Sequence, residues 1–192
     1  MAAKPGERRL QILQTLAAML EHPRGEKVTT AALAAKLDVS EAALYRHFAS
    51  KAQMFEGLIE FIEGTVFGLV NQITSQEEDG LRQLSQVVTM LLGFSERNPG
   101  MTRVMVGDAL VFENERLIAR MNQFFDRLES QLRMSLRSAA DAAGAATPTV
   151  QSQALASALT SFLVGRLQRY ARSGFKRAPT EQLDAILARL VG

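Results

Sequence analysis

The chain has 192 residues, of which 47% are hydrophobic and only 6% aromatic, with neither tryptophan nor cysteine. Leu, Ala, Met, Gln, Arg and Glu are common and favour helices, so the composition argues against a sheet sandwich or barrel. The missing cysteine excludes disulfides, thiol catalysis and zinc–cysteine centres, and fits a reducing compartment.

The first predicted helix runs from Glu7 to Leu20, with Leu10, Leu13, Ala17 and Leu20 at helical spacing. His22-Pro23-Arg24-Gly25 ends it with a turn. A second helix begins after Thr29 or Thr30, either of which can cap free N–H groups, and runs to Leu37. Asp38-Val39 makes a tight turn, and Ser40 caps a third helix to about His47. Ser50 followed by Gln53 is a capping-box pattern, starting a long fourth helix at Lys51 that reaches about Ile73. After a polar loop over 76–80, a fifth helix covers Leu81 to Glu96. Asn98-Pro99 starts a sixth through Val106. Gly107-Asp108 breaks the pattern, and a long seventh helix spans Ala109 to Ala139 with the stripe Leu117, Met121, Phe124, Leu128, Leu132 and Leu136. Thr147-Pro148 opens an eighth helix ending near Gly174, lined by Leu155, Leu159, Phe162, Leu163, Leu167 and Tyr170. A last amphipathic helix runs from Glu181 to Leu190. The expected fold is all-α with about nine helices: a three-helix head over residues 1–50 and a helical body over 51–192.

Charge is uneven although the formal net charge is only +2. Residues 1–54 hold eight Lys/Arg against five Asp/Glu, whereas residues 55–80 hold six acids and no base. A basic head followed by an acidic stretch steers one end toward polyanions, though each run also fits a solvated helix face. No run approaches the roughly 20 apolar residues that span a bilayer. No apolar signal core follows the polar N-terminal residues. The expectation is a soluble, cytoplasmic protein without membrane contact.

Residues 29–48 have the layout of a helix-turn-helix, in which the second helix enters the major groove of duplex DNA. Leu33, Leu37, Val39 and Leu44 are spaced to pack the two short helices, and Phe48 closes the far end of that core. The outward positions of the second helix include Ser40, Ala42, Tyr45, Arg46 and His47. A small residue at 42 lets backbone approach base edges. Tyr45 and His47 supply donors. Thr29, Thr30, Ser40 and Lys51 sit at helix N-termini, where N–H groups favour phosphate. By pattern alone the same two helices also fit a small bundle.

The string from Val28 to Phe55 (VTTAALAAKLDVSEAALYRHFASKAQMF) resembles the head of the TetR family, through Tyr45-Arg-His-Phe48, Ser50-Lys51 and Phe55. The resemblance implies an all-helical homodimer joined through a four-helix interface of its late helices, with Thr29, Thr30, Tyr45, His47 and Lys51 touching DNA. Segments 58–63 (LIEFIE), 91–103 (LLGFSERNPGMTR) and 109–117 (ALVFENERL) are further similar to the nucleoid occlusion factors of that family. That likeness covers about Arg8 to Arg189. It implies a nucleoid-associated protein that binds pseudo-palindromic chromosomal sites and blocks the division ring by engaging FtsZ, with the possibility of further assembly on DNA. By position, the FtsZ-facing residues would be Phe61, Gly93, Arg97 and Asn98, although Phe61 and Gly93 individually also fit core packing. The chain departs from the pattern at Leu69, where a basic residue is expected.

Other chemistry is sparse. His22 and His47 have no motif neighbours for a metal or an activated nucleophile, and no Gly-rich phosphate loop follows a strand. The expectation is a non-enzyme without catalytic residues, metal or cofactor. Gly64 and Gly68 read as a close helix contact, and Arg166, Arg169 and Arg172 as crossing a dimer seam or solvated, with solvation favoured. The alternative function is a ligand-responsive TetR-type repressor with an apolar pocket in the body.

Overall fold

A computed structural model of the chain describes residues 5–22 and 28–191. Nine α-helices account for most of them: α1 Pro5–Leu20, α2 Thr30–Lys36, α3 Glu41–Tyr45, α4 Lys51–Gln76, α5 Gly80–Arg97, α6 Pro99–Met105, α7 Glu115–Ala142, α8 Pro148–Arg172 and α9 Leu183–Leu190. A 3-10 turn covers Asp108–Leu110, and there is no strand among the described residues. The all-helical expectation holds. The expected turn at Pro23–Gly25 lies outside the described residues.

The chain forms two compact units. One draws on residues up to Ile62 together with Asn98–Met121, the other on Glu63–Arg97 and Asn122 onward. In the first unit, α1 packs against α2 and α6. Its buried face is Ile12, Leu16, Ala17 and Leu20, whereas Leu10 is 46% exposed. The buried face is therefore rotated from the predicted stripe. Nearly every turn of α1 carries an apolar residue on more than one side, and the packing partners decide which side is buried. Gly100 fixes one of these contacts. A Cβ there would collide with the Ala17 carbonyl, so only glycine lets α6 lie this close to α1.

In the second unit, α5 packs on α8. The rings of Phe67 and Phe124 lie 5.2 Å apart, and the Arg127 guanidinium covers Phe67 at 3.8 Å. The Tyr170 hydroxyl donates to the Glu96 carbonyl at 2.9 Å, satisfying one of the orphan acceptors at the end of α5. Along α7 all six residues of the predicted stripe are buried.

The structure departs from the predicted elements at several points. Helix α7 begins at Glu115 and not at Ala109, because Gly107 takes φ 84° and the Asn114 side chain accepts from the Arg116 N–H at 3.1 Å, capping a new start. Val111 and Phe112, between the two, are 61% and 76% exposed. Helix α9 begins at Leu183, after Gln182 in a left-handed conformation at φ 55°. Arg166 is half-buried rather than solvated: its Nε donates to the Pro179 carbonyl at 3.0 Å and its Nη2 to the Glu181 carbonyl, tying α8 to the turn before α9. Gly64 and Gly68 are not a close helix contact, since both are exposed and no atom lies within 4 Å of the position a Cβ would take.

Candidate functional site

The helix-turn-helix forms as two capped segments. The Thr29 hydroxyl accepts from the Ala32 N–H at 3.1 Å and the Ser40 hydroxyl from the Ala43 N–H at 3.3 Å, so each short helix has a side-chain cap. Between them Asp38 adopts φ 53°, and the Val39 N–H reaches back to the Ala34 carbonyl at 3.0 Å. That left-handed residue, tolerated by aspartate, turns the chain sharply enough for a second helix to cross the first. Leu33, Leu37, Leu44 and Phe48 are all buried and form the expected small core, with Val39 at its edge.

The sequence-predicted contacts fall into two groups. Thr29, Ser40, Ala42, Tyr45 and Arg46 are exposed, Tyr45 by 44%. They present hydroxyls, a guanidinium and a small residue along and beside α3. The helix itself ends at Tyr45 and not at His47. Arg46 is its C-cap, and the His47 N–H bonds the Leu44 carbonyl at 2.9 Å in a tighter turn.

The other residues are engaged within the chain. Thr30 is half-buried and donates to Glu41 Oε2 at 2.6 Å, a bond that ties α2 to α3. Lys51, the first residue of α4, is ion-paired with Glu113 and lies over the Phe55 ring at 5.6 Å. Its side chain is 21% exposed. His47 is half-buried, and its carbonyl accepts from Arg9 Nη1 at 2.9 Å. Arg9 also stacks its guanidinium 4.2 Å from the centre of the Phe48 ring, latching α1 to the end of the second helix. Sequence reading missed Arg9. Its one signal was a basic residue on a helix that precedes the motif.

The capping box at the start of α4 forms in modified shape. The Gln53 N–H donates to the Ser50 hydroxyl at 3.2 Å, but the Gln53 side chain accepts from the Ala49 N–H at 2.8 Å, one residue earlier than the pattern expects.

The second set of candidates is brought together in pairs. Phe61 is 43% exposed, so core packing does not explain it. It lines a cleft of about 350 Å³ together with Leu10, Leu13, Leu58, Asn98 and Met101. The apolar residues that α1 leaves uncovered thus form one wall of that cleft. Gly93 is half-buried under its neighbour Arg97, whose Nη1 lies 3.3 Å from where a Cβ would stand. Arg97 is exposed in the last turn of α5, where a cation complements the helix dipole. Asn98 follows it as the N-cap of α6, with Pro99 opening the helix as predicted, although the Asn98 side chain makes no capping hydrogen bond. Among the described residues no group of three or more His, Cys, Asp or Glu could hold a metal ion, and no helix is long and apolar enough to cross a membrane.

A capped helix-turn-helix with an exposed second helix, carried on long amphipathic helices, defines an all-helical regulator of the tetR type. The model of bacterial regulatory proteins of the tetR family matches residues 17–58, and that of the tetracyclin repressor-like C-terminal domain matches residues 78–191. Nucleoid occlusion factor SlmA of Photobacterium profundum is 51% identical over 182 residues, covering 94% of this chain and 92% of the relative. The SlmA of Vibrio vulnificus (strain YJ016) is 50% identical over 189 residues, covering 98% and 96%. The chain belongs to the SlmA family of nucleoid occlusion factors, within the tetR family. Its fold is shared with the transcriptional regulator FadR from Bacillus subtilis, solved in complex with stearoyl-CoA, at TM-score 0.77 and 12% identity over 95% of this chain and 97% of that one. The tetR-family regulator PfmR from Thermus thermophilus aligns at TM-score 0.70 and 22% identity, over 94% and 96%.

Proposed function

We propose that the protein is a dimeric DNA-binding nucleoid occlusion factor that marks chromosomal sites and inhibits FtsZ assembly over them. The observation that carries this reading is identity near 50% to SlmA proteins along almost the whole chain, body as well as head. In this reading residues 1–50 form the DNA-binding head and residues 51–192 the dimerisation and partner-binding body. The head meets DNA through Thr29, Thr30, Ser40, Ala42, Tyr45, Arg46, His47 and Lys51. Two heads related by a two-fold axis meet a pseudo-palindromic site with recognition helices about 34–36 Å apart, or a multiple of that. Phe61, Gly93, Arg97 and Asn98 engage FtsZ, and Leu69 replaces a charged contact with an apolar one. The protein acts at the nucleoid in the cytoplasm.

Cosedimentation with FtsZ polymers, with and without a genomic duplex selected by the protein itself, tests the proposal. DNA-dependent loss of polymer from the pellet supports it. FtsZ polymers left untouched, with no FtsZ bound, refute it. Release of DNA by a small metabolite with no effect on FtsZ would instead identify a ligand-responsive repressor.

A further inference from the structure

Lys51 is expected to meet a DNA phosphate, yet its charge is already matched by Glu113, a residue 62 positions along the chain. The pair is not a loose surface contact: the two side chains are 21% and 10% exposed. Glu113 sits between the 3-10 turn Asp108–Leu110 and the start of α7, its N–H bonded to the Leu110 carbonyl at 2.9 Å. Leu110 is fully buried and anchors that turn. Three residues beyond Glu113, Arg116 pairs with Glu56 of α4 at 2.8 Å, so the same segment grips the same helix twice. The carboxylate is therefore held at the N-terminus of α4 by the fold and does not merely drift across it.

We infer that the Glu113 carboxylate is an intramolecular competitor of the DNA phosphate for Lys51, and so restrains the affinity of the head for DNA. The inference rests on the DNA-binding reading above. A lysine ammonium has three donors, so it can reach a phosphate without leaving the carboxylate. The carboxylate, however, cancels the charge that would displace a counterion from the duplex and places a like charge beside the phosphate. Neutralising Glu113 leaves Lys51 a full cation at the N-terminus of α4, where phosphate is favoured. The paired state then contributes little to the salt dependence of binding and the released state contributes one phosphate contact per protomer.

The test is binding of a fluorescent random-sequence duplex of about 30 base pairs, followed by anisotropy across a salt series. Nonspecific binding is dominated by counterion release, so no target sequence is needed. Glu113→Gln keeps shape and hydrogen-bonding capacity and removes the charge. It is expected to tighten binding by about eightfold per protomer at about 0.1 M salt and to steepen the slope of log K against log salt by about 0.9 per protomer. Glu115→Gln, an exposed neighbour of equal charge, reports the long-range contribution and should give a much smaller change. In a Lys51→Met background the effect of Glu113→Gln should fall well below its size in the unaltered protein, to the part that repulsion between carboxylate and phosphate contributes alone. Equal effects of the two Gln variants, weaker binding by Glu113→Gln, or an undiminished effect in the Lys51→Met background would each overturn the competition. If the unaltered protein fails to bind duplex even at low salt, it is the DNA-binding reading that falls.

Discussion

Gly64 and Gly68 stand four residues apart in the interior of α4, both exposed, with open space where a Cβ would be. Glycine in a helix interior is about 0.8–1.0 kcal/mol less favourable than alanine, because the unfolded chain loses more freedom on folding. Nothing in the free chain offsets that cost, so the double substitution Gly64→Ala/Gly68→Ala should stabilise the protein by about 1.5–2 kcal/mol. For a chain of this length, about 1 kcal/mol moves the midpoint by roughly 2–4 °C, which places the shift at about 3–8 °C. Thermal and urea melts at one fixed protein concentration measure it, since the dimer proposed above would make the midpoint concentration-dependent. A neutral or destabilising result would refute the reasoning and mean that the methyl groups meet something, such as a second protomer. The same variant probes function. If a partner's backbone approaches this strip of α4, the added methyls should weaken FtsZ cosedimentation while leaving duplex binding unchanged. A gain in stability with undiminished FtsZ binding would remove the strip from the partner surface.

Gly100→Ala should destabilise the protein by about 1–3 kcal/mol in urea unfolding, because the new methyl meets the Ala17 carbonyl and α6 must move off α1. Tyr170→Phe removes the bond to the Glu96 carbonyl and should cost about 1 kcal/mol by the same measure, without changing duplex binding. Arg9→Met removes both the donor to the His47 carbonyl and the cation over Phe48. A loss of about 1 kcal/mol and weaker duplex binding in anisotropy are expected. Phe112→Ser should change stability by less than about 0.5 kcal/mol, since its ring stands largely in solvent.

Much of the fold was legible because its signals are local and repeated. The 28-residue α7 carries one apolar stripe from end to end, and a mistaken phase would have shown itself within a turn or two. The helix-turn-helix was legible for a different reason. Thr29, Asp38 and Ser40 each act on the backbone within a few residues, so their meaning needs no knowledge of the rest of the chain. Helix α1 was misread because Leu10, Ile12, Leu13, Leu16 and Ala17 offer two overlapping stripes. The choice between them is made by α2 and α6, the latter far along the chain. The start of α7 was misread although its signal, Asn114 followed by Glu115, was present. Leu110 and Leu117 are spaced as two turns of one helix and mimic a continuous face.

What stayed hidden at the site is the set of polar ties that hold it. Thr30 to Glu41, Arg9 to His47 and Lys51 to Glu113 span 11, 38 and 62 residues, and no spacing rule reaches that far. Together they bear on how a single head would act. The first two brace the segments on either side of α3, which favours register on the groove, but two of the three engage side chains, Thr30 and Lys51, to which the proposed function assigns DNA contact, and one neutralises a cation. A head so arranged gains orientation at the expense of charge, and its affinity as a monomer should be modest. Pairing two heads raises that affinity through effective concentration without any new contact. Occupancy then depends on whether a chromosomal sequence offers both half-sites at the correct spacing. For a protein whose proposed task is to confine division inhibition to certain stretches of chromosome, that dependence is the useful property. A strongly cationic head would coat DNA indiscriminately, whereas a restrained one lets the spacing of paired sites decide where the body is placed.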